Sequence, residues 1–128
     1  MNAATASQKA SPSAAATGPR RPPEHWIALC GGIGGAKLAL GLAHVLPADQ
    51  LTIVVNTGDD FRHLGFHISP DIDTVLYTLA GLSNRELGWG LEGETWGFMG
   101  AMERLGGPTW FRLGDRDIAT HALRSTML

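Results

Sequence analysis

The sequence predicts an α/β domain built on a parallel sheet with flanking helices, and three observations predict it. His25 to Cys30 and Leu51 to Val55 are short apolar runs, the second rich in β-branched residues, as buried strands require. Between them, Ala36 to Leu46 carries Leu38, Leu42, Val45 and Leu46 at helical spacing. Gly31-Gly-Ile-Gly-Gly35 reads as the turn from the first run into that helix. Strand, glycine turn, helix, strand is the βαβ unit of a Rossmann-like sheet, so the two strands are expected as parallel neighbours.

Further along, Asn56 to Pro70 reads as a long polar loop. A helix is expected from Asp71 to Leu82, with Val75, Leu76 and Leu79 as its apolar face. Another is expected from Thr95 to Leu105, ending at Gly106-Gly107-Pro108. Trp110 to Leu113 reads as a short strand, Gly114 to Asp117 as its loop, and Ile118 to Leu128 as a last helix. That helix pattern runs to Leu128 with no Gly or Pro stop, so residues 24–128 read as the N-terminal part of a longer, apparently truncated domain. Residues 1–23, rich in Ala, Ser, Thr and Pro, read as a disordered tail.

Composition narrows the function classes. A net charge of −2 argues against a nucleic-acid binder, which needs clustered Lys and Arg. No apolar run reaches membrane-spanning length, and none suits a signal peptide. The single cysteine, Cys30, excludes an intrachain disulfide and a cysteine zinc cluster, and fits a cytoplasmic setting.

The residues suited to chemistry follow the strands. Gly31 to Gly35 lies between a strand and a helix, where backbone N–H groups can approach a phosphate. Lys37 adds a charge there, although Lys37, Ala36 and Leu38 depart from both the dinucleotide and the Walker patterns. Asn56-Thr-Gly-Asp-Asp60 directly follows the second strand, at the end where such sheets bind ligands. Two adjacent carboxylates there suit magnesium, which prefers oxygen ligands and bridges phosphates. Asp71 and Asp73 stand at a helix start; dipole complementarity accounts for Asp71 and leaves open whether Asp73 faces a ligand. Leu113-Gly-Asp-Arg-Asp117 with Ala119-Thr-His121 clusters Asp, Arg and His, for which an ion pair and a helix cap are the ordinary explanation. His63 and His67 fall within reach of the same face.

Taken in order, five segments resemble the 2-phospho-L-lactate transferase family: Gly31 to Leu38, Val54 to Asp60, Ser69 to Tyr77, Trp89-Gly90 with Glu94-Thr-Trp96, and Leu113 to His121. The resemblance covers His25 to Leu128; the segments Ser69 to Tyr77 and Leu113 to His121 are its specific part, and the glycine turn is widely shared. It implies a transferase that moves a 2-phospholactyl group, or its enolpyruvyl counterpart, from a guanosine diphosphate-linked donor. The implied acceptor is the ribityl hydroxyl of 7,8-didemethyl-8-hydroxy-5-deazariboflavin, in deazaflavin coenzyme biosynthesis. It implies donor contacts from Gly32, Gly34, Gly35 and Lys37, and deazaflavin contacts from Asp73 and Arg116. Magnesium ligands would come from Asp59, Asp60 and Asp73, with Asp60 catalytic. Family members are over twice this length, so the chain alone is also readable as an inactive fragment. The other reading is a YvcK-like nucleotide-sugar-binding regulator, which shares the glycine start and Asp-Asp turn but not the two longer motifs. Oligomeric state stays open, a homodimer included.

Overall fold

The computed structural model describes residues 24–128; the tail expected over residues 1–23 lies outside them. β1 (Trp26–Cys30) and β2 (Leu51–Val55) pair in parallel, from Trp26 opposite Leu51 to Cys30 opposite Val55. The crossover between them is helix α1 (Gly32–Val45), followed by a 3-10 turn, Ala48–Gln50. This is the expected βαβ unit.

The helix begins four residues before the expected start. The glycines form its first turn because one of them must lie against the strand. A Cβ on Gly35 would stand 3.1 Å from the Cys30 Cα, a backbone atom that cannot yield. Packing therefore overrides the low helix propensity of glycine. Ala36 and Ala39, both buried, continue this close seam.

The segment read as a long loop contains a hairpin, β3 (Phe61–His63) and β4 (Phe66–Ile68), paired antiparallel. Its two turn residues, Leu64 and Gly65, both have positive φ, 52° and 84°. Such hairpins usually announce themselves as Asn-Gly or Asp-Gly, and Leu-Gly hides the signal.

Helix α2 (Pro70–Leu79) starts with proline, whose fixed φ suits a first helical turn, and Gly81 at φ +69° follows its end. It packs beside α1, and Val75 joins Ala28, Cys30, Ala36 and Ala39 in the core. The other sheet face is bare: Ile27 and Leu29 are 67% and 77% exposed. Helix α3 (Gly97–Arg104) and helix α4 (Asp115–Met127) complete the order. No strand forms at Trp110 to Leu113; the aromatic rings there pack on Phe61 and His63 instead.

α3 and α4 cap each other. Asp115, the first residue of α4, accepts hydrogen bonds from Thr95 Oγ1 (2.6 Å) and from the Gly97 and Phe98 amides that open α3 (both 2.9 Å). Glu94, just before α3, accepts from the Arg116 and Asp117 amides at the start of α4 (3.0 and 2.9 Å). Gly114 is required because any Cβ there would strike the Glu94 side chain. This mutual cap starts α4 at Asp115 rather than Ile118.

The capping bonds have a pH consequence. The hydrogen bond from Thr95, then those from the Phe98 and Gly97 amides, hold the Asp115 carboxyl below its ordinary range. Burial pushes Asp117 up, but hydrogen bonds from His121 and Tyr77 more than offset this and leave it depressed too. Depressed carboxyls stabilise the fold above their unfolded pKa, about 4, and that stabilisation is lost as pH falls toward the folded values. Urea midpoints are therefore expected to hold from pH 7 to 5 and fall below 4. Asp115→Asn should flatten that fall; a slope equal to wild type would remove the cap from the acid sensitivity.

Candidate active site

At the carboxyl end of β1, the chain turns through Gly31 and Gly32, the latter at φ +56°. The backbone of Asn56 prolongs the β1–β2 ladder by donating to the Cys30 carbonyl (2.8 Å). Its side-chain amide then donates to Asp59 Oδ2 (3.1 Å) and to Asp71 Oδ2 (2.9 Å), while its oxygen accepts from the Gly58 amide (3.0 Å). Asp71 lies against the glycine turn, where a Cβ on Gly31 would stand 2.8 Å from its Oδ2. A Cβ on Gly34 would meet nothing within 4 Å, so the turn is open on that side. The start of α1, the loop after β2 and the first turn of α2 thus converge. Two carboxylates share one neutral amide there.

Asp60 belongs to a neighbouring group. Its Oδ2 accepts from Ser69 Oγ (2.8 Å) and lies 3.1 Å from His67 Nε2. Its Oδ1 is buried and has no hydrogen-bond partner among the described residues. The His67 amide donates to Ser125 Oγ (2.7 Å), which ties the hairpin to α4.

Beside these groups opens a cavity of about 380 Å³. Tyr77, Trp89, Trp110 and Phe111 supply aromatic walls, and Asp73, Asp117 and His121 supply the polar lining. Arg124 donates to both oxygens of Asp73, through Nη1 at 3.1 Å and through Nη2. Its Nη1 is also 3.4 Å from His121 Nδ1. The His121 Nδ1 atom also lies 3.6 Å from Asp73 Oδ2, and its Nε2 lies 3.4 Å from Asp117 Oδ1. Tyr77 donates its hydroxyl to the same Asp117 oxygen at 2.6 Å. Burial, then that hydrogen bond, pushes the phenol above its usual range.

The expected residues therefore divide. Gly32, Asp59 and Asp71 share the crevice, Asp60 adjoins it through Ser69, Gly35 lies against Cys30, and Gly34 faces open space. Asp73 faces the aromatic cavity with both oxygens engaged by Arg124. Asp59, Asp60 and Asp73 do not form one ligand group. Among the described residues, the group of three carboxylate and imidazole side chains whose atoms all lie within 4.8 Å of one another is Asp73, Asp117 and His121. Arg116 donates to the Glu92 carbonyl (2.8 Å), and the guanidinium that lines the cavity is that of Arg112, stacked 4.4 Å above Trp96. Lys37 is exposed on α1 and lines a separate groove. Sequence reasoning gave Tyr77 and Arg124 no chemical role and named Asp117 and His121 only within the Leu113 to His121 cluster. Asp117, His121 and Arg124 recur at i, i+4 and i+7, one face of α4, which was the available signal.

A glycine turn and acidic loop stand at the strand ends, beside an aromatic cavity, where α/β sheets of this kind place ligands. The chain belongs to the 2-phospho-L-lactate transferase family CofD, whose sequence model matches residues 27–128. It is 53% identical over 104 residues to the phosphoenolpyruvate transferase of Kitasatospora aureofaciens, covering 80% of this chain and 32% of that protein. It is 48% identical over 103 residues to the phosphoenolpyruvate transferase of Streptomyces avermitilis, with the same 80% and 32% coverage. To that of Nocardia farcinica it is 46% identical over 119 residues, 90% of this chain and 33% of the relative. The chain thus spans about a third of the length of these relatives.

No helix among the described residues is long and apolar enough to cross a membrane.

Proposed function

We propose that the chain forms the substrate-binding N-terminal portion of a cytoplasmic transferase in deazaflavin coenzyme biosynthesis. The group moved is enolpyruvyl phosphate or 2-phospholactate, and its phosphate is the terminal phosphate of a guanosine diphosphate-linked donor. The acceptor is the terminal ribityl hydroxyl of 7,8-didemethyl-8-hydroxy-5-deazariboflavin. The similarity to phosphoenolpyruvate transferases favours the enolpyruvyl donor.

One observation supports the reading most: the first turn of α2 serves both halves of the site. Asp71 touches the glycine turn, and Asp73, two residues on, lines the aromatic cavity. A diphosphate on the turn and a planar ring between aromatic walls would meet within about one helical turn, roughly 5 Å. The walls suit a tricyclic ring, since aromatic faces prefer offset or edge-on neighbours.

Charge supports a metal. A diphosphate approaching Asp59 and Asp71 meets two carboxylates and a neutral amide, so a cation must intervene. Asp59 and Asp71, which share the Asn56 amide, are the carboxylates that would hold magnesium; Asp60 lies outside that pair. Bound there, magnesium would supply charge neutralisation on the transferred phosphate. The chain's own residues do the rest. Amides of the glycine turn orient the phosphates, and the cavity walls hold the ring so that its hydroxyl lies in line with the leaving group. The hydroxyl oxygen bonds to phosphorus as the bond to GMP breaks, and Asp60 is the carboxylate free to take the proton.

Deazaflavin added to the chain should quench Trp89 and Trp110 emission saturably, and Trp110→Ala should weaken binding about tenfold. Thermal stabilisation by UDP-sugars, with no saturable quenching by deazaflavin, would instead favour a nucleotide-sugar regulator.

A further inference from the structure

Away from the crevice, a second groove of about 380 Å³ runs between α1 and the end of α2, closed by the 83–88 loop. Ile33 and Leu40 give it apolar walls. Lys37, Thr78, Ser83, Asn84 and Arg85 give it polar groups, all of them able to donate hydrogen bonds. Among the described residues, no carboxylate lines it. Lys37 and Arg85 have no hydrogen bond or ion pair among the described residues, whereas Arg112, Arg116 and Arg124 all have partners.

The loop that presents Arg85 is built rather than slack. Asn84 Oδ1 accepts from the Glu86 and Leu87 amides, each at 3.0 Å, and the Asn84 carbonyl accepts from the Gly88 amide at 2.9 Å. Gly88 stands at φ +75°, and a Cβ there would press on Ile33 Cδ1 at 3.4 Å, so the loop closes onto α1. The fold thus holds two like charges against one groove and supplies no acid between them. Lys37 also lies near the C-terminal end of α2, where a cation complements the helix dipole. That explains one charge but not its partner or the hydroxyls.

We infer that this groove is an anion site, separate from the glycine turn, for a small ligand bearing a phosphate group on an apolar body. Phosphate takes charge-assisted hydrogen bonds from Lys and Arg and further bonds from Thr78, Ser83 and Asn84, while Ile33 and Leu40 meet the apolar part. The site stands whether or not the transferase reading holds, since it shares only Ile33 with the glycine turn and none of its polar groups belongs to the crevice or the aromatic cavity.

The test is titration of the full 128-residue chain with inorganic pyrophosphate, followed by calorimetry and by backbone amide shifts. Saturable binding is expected, with shifts at Thr78, Ser83, Asn84 and Arg85, weakening as salt rises. Lys37→Gln and Arg85→Gln should each lower affinity about tenfold, and Lys37→Arg should restore most of it. Both side chains are exposed, so the substitutions leave the core untouched. Shifts confined to Gly31 to Gly35, unchanged affinity in both Gln variants, or no binding at millimolar pyrophosphate would each overturn the site.

Discussion

Asp73→Asn is expected to destabilise the fold by about 3–5 kcal/mol, because it leaves the Arg124 guanidinium without its anionic partner in a half-dry interface. The Asp73 side chain is 8% exposed and that of Arg124 17%, so neither charge can be rehydrated without moving helices. The pair joins the first turn of α2 to the last turns of α4, and His121, 1% exposed, packs against both. Arg124→Gln should cost a similar amount. The double variant should be less unstable than the sum of the two, since removing both charges leaves no orphan. Deazaflavin binding should fall in each variant along with the shape of the cavity. Urea denaturation of the four proteins measures the coupling. Additive losses would show that the two residues act separately and that Asp73 is free to face a ligand.

The sequence disclosed the elements that local pattern encodes. Ile27 to Cys30 and Leu51 to Val55 are continuous apolar runs, so the parallel pair and its crossover helix were readable. The hairpin was hidden because Leu64 occupies a turn position usually held by Asn or Asp. The site was half readable for a related reason. Position after a strand identified Asp59 and Asp60, and a helix start identified Asp71 and Asp73. What each acid touches depends on long-range partners. Asp73 meets Arg124, 51 residues away, and Glu94 meets Asp117, 23 away. No periodicity links such positions. The family resemblance placed Arg116 against the deazaflavin, yet its guanidinium donates to the Glu92 carbonyl. The charge that matters to Asp73 comes two turns later on the same helix.

Asp60→Asn is expected to lower deazaflavin phosphodiester formation by roughly 10–100-fold at limiting magnesium while leaving the fold intact. The contrast with Asp73 rests on partners. Asp60 faces Ser69 and His67 through one oxygen, and an asparagine carbonyl in the same place still accepts both bonds. The stability loss should therefore stay near 1 kcal/mol. Its other oxygen is buried and unpartnered, which is costly for a carboxylate unless a cation or a proton arrives there. An amide nitrogen in that position offers neither charge nor a lone pair. The assay needs a complete enzyme, made by joining this chain to the two thirds of the Kitasatospora aureofaciens protein that it does not match. If Asp60 holds magnesium, raising magnesium should recover part of the lost rate. If it takes the hydroxyl proton, the loss should persist at saturating magnesium and ease as pH rises. Near-normal turnover at ordinary magnesium and pH, with circular dichroism unchanged, would remove Asp60 from the chemistry and make its free oxygen a feature of the hairpin alone.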